Sequence, residues 1–338
     1  MSKKMSKIEK SELADNSVHS PQSSALPIDS VLSPQSSLLS TQPSVLSPQH
    51  FYVRIADITI ALIGDGPELK LHVEGPTKQF LIDPADPDVS VRAAWGDLSV
   101  ENGRGKIFDS GGPWQLYHHD GAYRFRFTSS AVGPFPYKVA CFNPGFTNGE
   151  IYLNRHYLNR GRPLYPLEYP LDELLMLNLL AKGLGVEVHA CGIVDDQGNG
   201  HLFLGQSGAG KTTMARLWQN IEGVQILSDD RIILRQMGTD IWMYGTPWHG
   251  EAELACPAQV RLARVYFLRH GQKNELVRQR EAEAAARIFA CSFPPFYNPE
   301  ALEFTLGFLE EVIEAIPCYE LRFLPDDRVV GFLQSHQD

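Results

Sequence analysis

A glycine-rich stretch in the second half of the chain decides the fold, and it reads Gly205-Gln206-Ser207-Gly208-Ala209-Gly210-Lys211-Thr212-Thr213. It matches the spacing G-x-x-x-x-G-K-[ST], and it has the context that this motif requires: an apolar strand at 201–204 precedes it and a helical pattern at 214–220 follows it. Glycines let successive backbone N–H groups point at a chain of phosphates beside the positive end of a helix. The stretch therefore predicts a nucleoside triphosphate site rather than an ordinary glycine-rich turn. Lys211 is expected to reach the β- and γ-phosphates, and the Thr212 hydroxyl to occupy one position on Mg²⁺.

A second strand is predicted at 186–194, immediately before the strand that leads into this motif. A short turn at 195–200 joins the two, so they are expected to form an antiparallel hairpin. His189 lies on the first of these strands and could face the nucleotide site. A lone histidine on a strand is more often a core residue whose polar atoms are satisfied, and both interpretations stay open at this point.

Two adjacent acids, Asp229 and Asp230, follow the next apolar strand along the chain. Mg²⁺ prefers a carboxylate opposite the Thr212 hydroxyl, so an apolar strand ending in acid predicts the second half of the nucleotide site. One acid suffices for the metal. The other could accept the proton of an attacking hydroxyl, as a kinase requires, or it could be a solvated turn residue.

These residues resemble the HPr kinase/phosphorylase family, which is structurally related to the phosphoenolpyruvate carboxykinases. The likeness rests on the strand with His189, on the glycine-rich motif, and on Leu-Ser-Asp-Asp-Arg at 227–231. The stretch at 244–251, Tyr-Gly-Thr-Pro-Trp-His-Gly-Glu, also looks like the kinases of this group that modify peptide precursors. The resemblance covers 171–251 well and the segment after 264 loosely. It implies an α/β fold, a P-loop mixed sheet flanked by helices, with a smaller β-rich domain before it.

The resemblance also implies roles for the predicted site residues. Residues 205–213 would bind ATP, with Lys211 neutralising the transferred phosphoryl group and Thr212 and Asp230 holding Mg²⁺. Asp229 would be the general base, with His189 next to it orienting that acid. The implied reaction is transfer of the γ-phosphoryl group of Mg·ATP to a hydroxyl, most readily serine, of a peptide, a protein or a small molecule. The alternatives are a phosphatase or phosphorylase at the same site, and a nucleotide-gated binding module without phosphotransfer.

One departure from the family pattern bears on the substrate. True HPr kinases carry a glycine-rich Arg-Gly-Leu-Gly signature after the paired acids, whereas 245–251 here reads Gly-Thr-Pro-Trp-His-Gly-Glu. HPr is therefore not the expected acceptor. Trp248, His249 and Glu251 become candidates for the acceptor side of the site, and the alternative is a stiff loop after a strand at 241–244. Arg231 could supply positive charge to the transition state or lie at a strand end.

Composition limits the partners. The chain has 338 residues with 43% hydrophobic and 21% charged, which predicts a globular protein, and its formal net charge of −10 argues against a coat on nucleic acid or on an anionic membrane. No apolar run approaches the roughly 18–20 residues of a membrane span. The five cysteines show no C-x-x-C spacing, which favours free thiols and a cytoplasmic location. Family members often form rings, so the resemblance also implies a homo-oligomer.

The pattern along the chain predicts three regions. Residues 1–50, rich in Ser, Pro and Gln, are expected to be a disordered leader, 51–165 a β-rich domain, and 166–338 the kinase-like domain. Helices are predicted at 171–182, 281–290 and 300–315, and a last strand at 319–324. In the β-rich region the run His118, His119 and Asp120 invites a metal interpretation, but neighbours on a strand point to opposite faces, so a polar turn is favoured.

Overall fold

Two large mixed β-sheets with few helices make up the described part of the chain. The structure is a computed structural model, and it describes residues 49–66, 68–98, 105–158 and 161–336. The predicted leader at 1–50 lies outside the described residues, apart from its last two positions. The α/β class expected from the sequence is confirmed at this level.

The first sheet contains nine strands in the described residues, in the order β3-β1-β2-β4-β9-β8-β7-β6-β5. β4 runs parallel to β2 and to β9, and the other pairs are antiparallel. A two-residue turn with Ala56 and Asp57 both in the left-handed conformation splits the apolar run at 51–63 into a hairpin. The strands are β1 (His50–Ile55), β2 (Ile58–Gly64), β3 (Leu81–Ile82), β4 (Val89–Gly96), β5 (Lys106–Asp109), β6 (Trp114–His119), β7 (Ala122–Phe127), β8 (Lys138–Phe142) and β9 (Asn148–Asn154), with a 3₁₀ helix at Gly75–Phe80.

The second sheet follows the order β11-β10-β13-β14-β15-β17-β16, and β12 pairs with β10. β15 is long enough to pair with β14 through its first residues and with β11 and β17 through the rest. Its strands are β10 (Val186–Val194), β11 (Gly200–Leu204), β12 (Gln225–Ser228), β13 (Arg231–Met237), β14 (Asp240–Gly245), β15 (Gln259–His270), β16 (Glu275–Arg278) and β17 (Cys318–Phe323). The helices in the described residues are α1 (Leu171–Leu180), α2 (Lys211–Trp218), α3 (Glu281–Phe289), α4 (Pro299–Ala315) and α5 (Arg328–Ser335).

β10 organises the centre of the second sheet. It pairs antiparallel with β11, so the predicted hairpin is confirmed. It also pairs with β13 at Val186–His189 and with β12 at Gly192–Val194. The chain therefore turns from β12 into β13 directly beside β10, and the paired acids lie in that turn.

Local sequence signals account for the helices that were predicted. α1 is apolar on nearly all sides and is buried, and its first turn carries two acids, Asp172 and Glu173, into the interior. The Asn298 side chain caps α4 by accepting hydrogen bonds from the backbone of Glu300 and Ala301. α2 begins at Lys211, earlier than the predicted 214. α5 was not predicted, although Val329, Val330 and Leu333 form a buried helical pattern.

One hydrophobic core packs the first sheet against α1 and against residues of the second sheet. Ile233, Tyr244 and Trp248 belong to this core together with the buried side chains of β1, β2 and β4. The boundary near 165 stays a prediction. All five cysteines are free, as expected, and no helix in the described ranges is long and apolar enough to cross a membrane.

Two glycines, one at the end of β14 and one inside α4, differ in how tightly their surroundings are packed. A β-carbon on Gly245 would lie 1.9 Å from the Cys256 carbonyl oxygen, whereas one on Gly307, inside α4, would meet nothing within 4 Å. We expect Gly245→Ala to destabilise the fold by about 1–3 kcal/mol, because backbone must move. Gly307→Ala should instead stabilise it by up to about 1 kcal/mol through helix propensity. Urea unfolding of the two variants checks this, and equal effects would contradict it.

Candidate functional site

The glycine-rich loop, residues 205–210, connects the end of β11 to the start of α2. Gly208 and Gly210 have φ values of 82° and 106°, in the left-handed region that favours glycine. A β-carbon on Gly210 would also lie 2.6 Å from the ring of Phe323 in β17. His270 supports the loop from the same side, because its Nε2 lies 2.9 Å from the Gly208 carbonyl oxygen. The local sequence thus produces a tight turn that ends at a helix N-terminus.

Lys211 is the first residue of α2, and its ammonium lies over this loop. Its Nζ donates to the carbonyl oxygen of Gly205 at 2.8 Å and to that of Gln206 at 3.4 Å. The side chain is buried, and burial lowers the pKa of Lys211. Thr212 and Thr213 follow in the first helical turn and are half-buried.

His189 and Asp230 form a polar pair, and Asp230 feels the charge of Lys211 at the start of α2. His189 Nε2 lies 2.9 Å from Asp230 Oδ1, and the backbone N–H of Ala190 donates to the Asp230 carbonyl at 3.0 Å. Each of the two side chains is about a quarter exposed. Although burial opposes it, the hydrogen bond from His189 and the charges of Arg231 and Lys211 hold the pKa of Asp230 below its ordinary value. Asp230 is therefore an ionised carboxylate that solvent or a ligand can reach.

Asp229 has a different environment from its neighbour. It is buried, and its two carboxylate oxygens accept the backbone N–H groups of Gly250 and Ala252, both at 2.9 Å. Gly250 is required here, because a β-carbon would lie 2.8 Å from Asp229 Oδ2. The expectation that His189 orients Asp229 is thus corrected: the register of β10 against β13 sets His189 opposite Arg231 and brings its side chain to Asp230.

Arg231 contacts acids from three elements, an arrangement that the sequence signals only weakly. Its Nε lies 2.9 Å from Glu173 Oε1 of α1 and 3.4 Å from Glu187 Oε1 of β10, and its NH1 contacts the Asp230 carboxylate. Its guanidinium also lies 4.3 Å from the ring centre of Phe293. Burial raises the pKa of Glu187 well above its usual range, and the Glu173 charge adds to this. Arg231 is the first residue of β13 and so does lie at a strand end, but it is a partly buried ion-pair centre and not a surface residue.

A cavity of about 540 Å³ opens beside Asp230 and Arg231. Its walls come from the segment between β2 and β3, the connector before α1, the first turn of α1, the start of β13 and the loop after β14. Trp248 and His249, two of the predicted acceptor-side residues, line it, and His249 Nδ1 lies 2.9 Å from the Gly250 carbonyl. Glu251 is exposed and is not part of the wall. The lining residues are His72, Glu74, Pro76, Thr77, Pro163, Leu164, Tyr165, Glu168, Tyr169, Asp172, Glu173, Asp230, Arg231, Pro247, Trp248 and His249.

The alternative metal interpretation in the first sheet finds no support. Asp120 (φ 50°) and Gly121 (φ 74°) form the tight turn between β6 and β7, as predicted. His119 is exposed, and its Nδ1 lies 2.8 Å from Oδ2 of the neighbouring Asp120. Within the described ranges, no group of three or more His, Cys, Asp or Glu side chains is arranged to hold a metal ion by itself.

Comparison with known proteins yields similarity to solved structures only, and at low sequence identity. No protein-family model and no curated protein matches this chain. Among solved structures, the HPr(Ser) kinase/phosphatase from Coxiella burnetii aligns with 45% of this chain and 95% of its own, at 13% sequence identity and a TM-score of 0.27.

Asp172 makes the folding stability of the protein depend on pH. Burial raises the pKa of this carboxyl to about 7, the neighbouring Glu173 charge adds to the shift, and Lys138 opposes it. Because the folded pKa lies above the unfolded value near 3.9, the folded state keeps a proton that the unfolded state loses, and stability falls as pH rises through 7.

We therefore expect Asp172→Asn to lose less stability than the wild type between pH 6 and pH 8, by about 1.4 kcal/mol. The difference between the variant and the wild type separates the contribution of Asp172 to the pH dependence of stability from the contributions of other groups, such as Glu187. Urea unfolding at the two pH values measures it. The exposed Asp196→Asn is the control and should keep the wild-type slope. Parallel slopes for all three proteins would mean that Asp172 titrates normally.

Proposed function

We propose that this protein is a kinase that uses Mg·ATP to phosphorylate a hydroxyl group held in the cavity. The observation that carries the proposal is the position of Asp230, which pairs with His189, feels the charge of Lys211, and lines the cavity. The Asp230 carboxylate thus lies near the Lys211 ammonium at the end of the glycine-rich loop and also lines a cavity large enough for an acceptor. A kinase needs this arrangement, because the hydroxyl must be deprotonated next to the transferred phosphoryl group.

The residues fit a nucleoside triphosphate. The left-handed glycines, Gly208 and Gly210, place no side chain at those two positions of the loop, and a helix N-terminus follows whose first N–H groups are free to bind an anion. The hydrogen-bond partners of the Lys211 ammonium in the described part of the chain are two loop carbonyls. A phosphate is a stronger partner for an ammonium than a carbonyl is, so binding would transfer this donor from the loop to the nucleotide.

The residues also fit Mg²⁺. This ion takes few protein ligands and completes its octahedron with water and substrate phosphates, so a three-residue cluster is not needed. The Thr212 hydroxyl and the Asp229 carboxylate would hold it, both hard oxygen donors. When bound, Mg²⁺ would neutralise charge on the phosphates. The resemblance implies that Asp230 is the metal ligand and Asp229 the general base. We exchange these two roles, because Asp229 is buried and Asp230 faces the cavity where the hydroxyl would lie.

The proposed reaction is an in-line displacement. The acceptor oxygen forms a bond to the γ-phosphorus, the bond from that phosphorus to the bridging oxygen breaks, and ADP leaves with the electron pair. Asp230 takes the hydroxyl proton, and His189 fixes the orientation of the carboxylate. Arg231 is a positioning residue in this scheme, because its charge compensates Glu173 and keeps Asp230 ionised.

The nucleotide half of the proposal is tested by Lys211→Ala. Loss of the ammonium should weaken Mg²⁺-dependent binding of a fluorescent ATP analogue at least tenfold, because the main counter-charge of the phosphates is gone. Lys182→Ala, which removes an exposed lysine, is the matched control and should bind like the wild type. A wild-type protein that takes up no nucleotide in the presence of Mg²⁺ would end the proposal.

The transfer half is tested by Asp230→Asn. The variant should keep nucleotide binding and lose about 100- to 10,000-fold in transfer, the range of a general base. Label from γ-labelled ATP is followed into peptide and metabolite pools, with Asp196→Asn as the control for a generic loss of charge. Label that reaches no acceptor while ATP stays intact would favour a nucleotide-gated binding module. Label that leaves a phosphorylated acceptor faster than it arrives would favour a phosphatase.

A further inference from the structure

His270, the last residue of β15, contacts the glycine-rich loop but is not among the residues that line the cavity. Its Nε2 lies 2.9 Å from the carbonyl oxygen of Gly208, and its Cε1 would lie 3.7 Å from a β-carbon on Gly210. A carbonyl oxygen can only accept a hydrogen bond, so the Nε2 of His270 carries a proton and donates it. The imidazole is exposed, and the proposed reaction gives it no role.

The neighbouring strand fixes the position of this imidazole. β15 and β17 run parallel with His270 opposite Phe323, and the two rings stack with their centres 5.6 Å apart and their planes at 29°. Phe323 is fully buried, and its ring also packs against the backbone of Gly210. The N–H of Gly271 donates to the Phe323 carbonyl at 3.0 Å, so the chain after His270 stays on the same strand. The histidine therefore holds the loop from a firmly packed part of the sheet.

Different contacts hold the first half of the loop. The Lys211 ammonium donates to the carbonyls of Gly205 and Gln206, and the backbone N–H of Ala209 donates to the same Gln206 carbonyl at 3.0 Å. The Gln206 carbonyl oxygen thus accepts hydrogen bonds from an ammonium and from a loop N–H. These are the two kinds of donor with which a glycine-rich loop binds a phosphate oxygen. A nucleotide phosphate would therefore compete with the Gln206 carbonyl for both.

The two sets of contacts give the two halves of the loop different freedom to move. A phosphate that takes the Lys211 ammonium replaces the Gln206 carbonyl, so that carbonyl must turn away. The Gly208 carbonyl cannot turn in the same way without losing its hydrogen bond to His270. Because a peptide unit is planar, a fixed Gly208 carbonyl also keeps the N–H of Ala209 on the opposite side of that peptide. This N–H, released by Gln206, then stays in place as a donor for the phosphate.

We propose that His270 is a positioning residue of the nucleotide site, which acts by holding the Gly208 carbonyl through a hydrogen bond. The inference rests on the proposed function and adds a residue to its nucleotide side. In this scheme His270 touches neither the nucleotide nor the reacting atoms. Its effect is on affinity for phosphates, because a loop that is already held in its binding shape loses less conformational freedom when the ligand binds.

Two substitutions separate the hydrogen bond from the ring. His270→Phe keeps an aromatic ring against Phe323 and removes the donor. His270→Gln removes the ring and keeps an N–H donor the same number of bonds from the backbone as the histidine Nε2. We expect His270→Phe to weaken Mg²⁺-dependent binding of a fluorescent ATP analogue about three- to tenfold, the effect of one neutral hydrogen bond. His270→Gln should bind within about twofold of the wild type. His119→Phe, at an exposed histidine of β6, is the matched control and should bind like the wild type.

A second probe shows which part of the nucleotide His270 affects. Inorganic tripolyphosphate has no base or sugar, and its affinity is measured by displacement of the fluorescent analogue. We expect His270→Phe to weaken tripolyphosphate binding by the same factor as ATP binding, because the residue acts through the phosphate loop. A loss confined to ATP would instead assign His270 to the base and overturn the inference.

Three further outcomes decide the proposal. Equal affinity of His270→Phe and the wild type would overturn it, because the hydrogen bond would then contribute nothing to binding. A loss that His270→Gln shares in full would also overturn it, since the ring and not the donor would be responsible. Either result leaves the proposed kinase intact, whereas a wild-type protein that takes up no nucleotide ends both the kinase and this role of His270.

Discussion

The ion pairs of Arg231 are the constraint on which the rest of the site depends. Its guanidinium meets Glu173 from α1, Glu187 from β10 and Asp230 from the turn between β12 and β13. A buried carboxylate without a partner costs several kcal/mol, so the Arg231 cation stabilises the close approach of these elements. The same contacts hold the cavity wall in place, since Glu173, Asp230 and Arg231 are all part of it.

Features that depend on neighbours in sequence could be predicted, and features that depend on register could not. The glycine-rich loop between strand and helix, and the β10–β11 hairpin, follow from local patterns and were predicted correctly. The partner of His189 was not, because it depends on the pairing of His189 with Arg231 across two strands. A shift of one residue in that register would turn every side chain to the opposite face.

Two acids of the cavity wall could be explained from local sequence alone, and that explanation concealed their place in the tertiary structure. Asp172 and Glu173 stand in the first turn of α1, where acids are favoured by the helix dipole, and the sequence gives no further reason to single them out. Both are buried, and both face the cavity. Its remaining walls come from segments near 72–77, 163–169 and 247–249, which are far apart in the chain. No spacing rule connects such segments, so among the lining residues the sequence singles out only Asp230, Arg231, Trp248 and His249.

Asp229 and Asp230 make different contacts because consecutive residues in a tight turn point their side chains in different directions. Asp229 turns inward and holds the 250–252 backbone by two hydrogen bonds, next to the residues Trp248 and His249 that face the cavity. Asp230 turns toward His189 and the open space. A movement of this turn would therefore shift the cavity wall at Trp248 and His249 together with the His189–Asp230 pair. The spacing between that wall and the pair is set by one peptide unit, which is a stiffer link than two side chains on separate loops would provide.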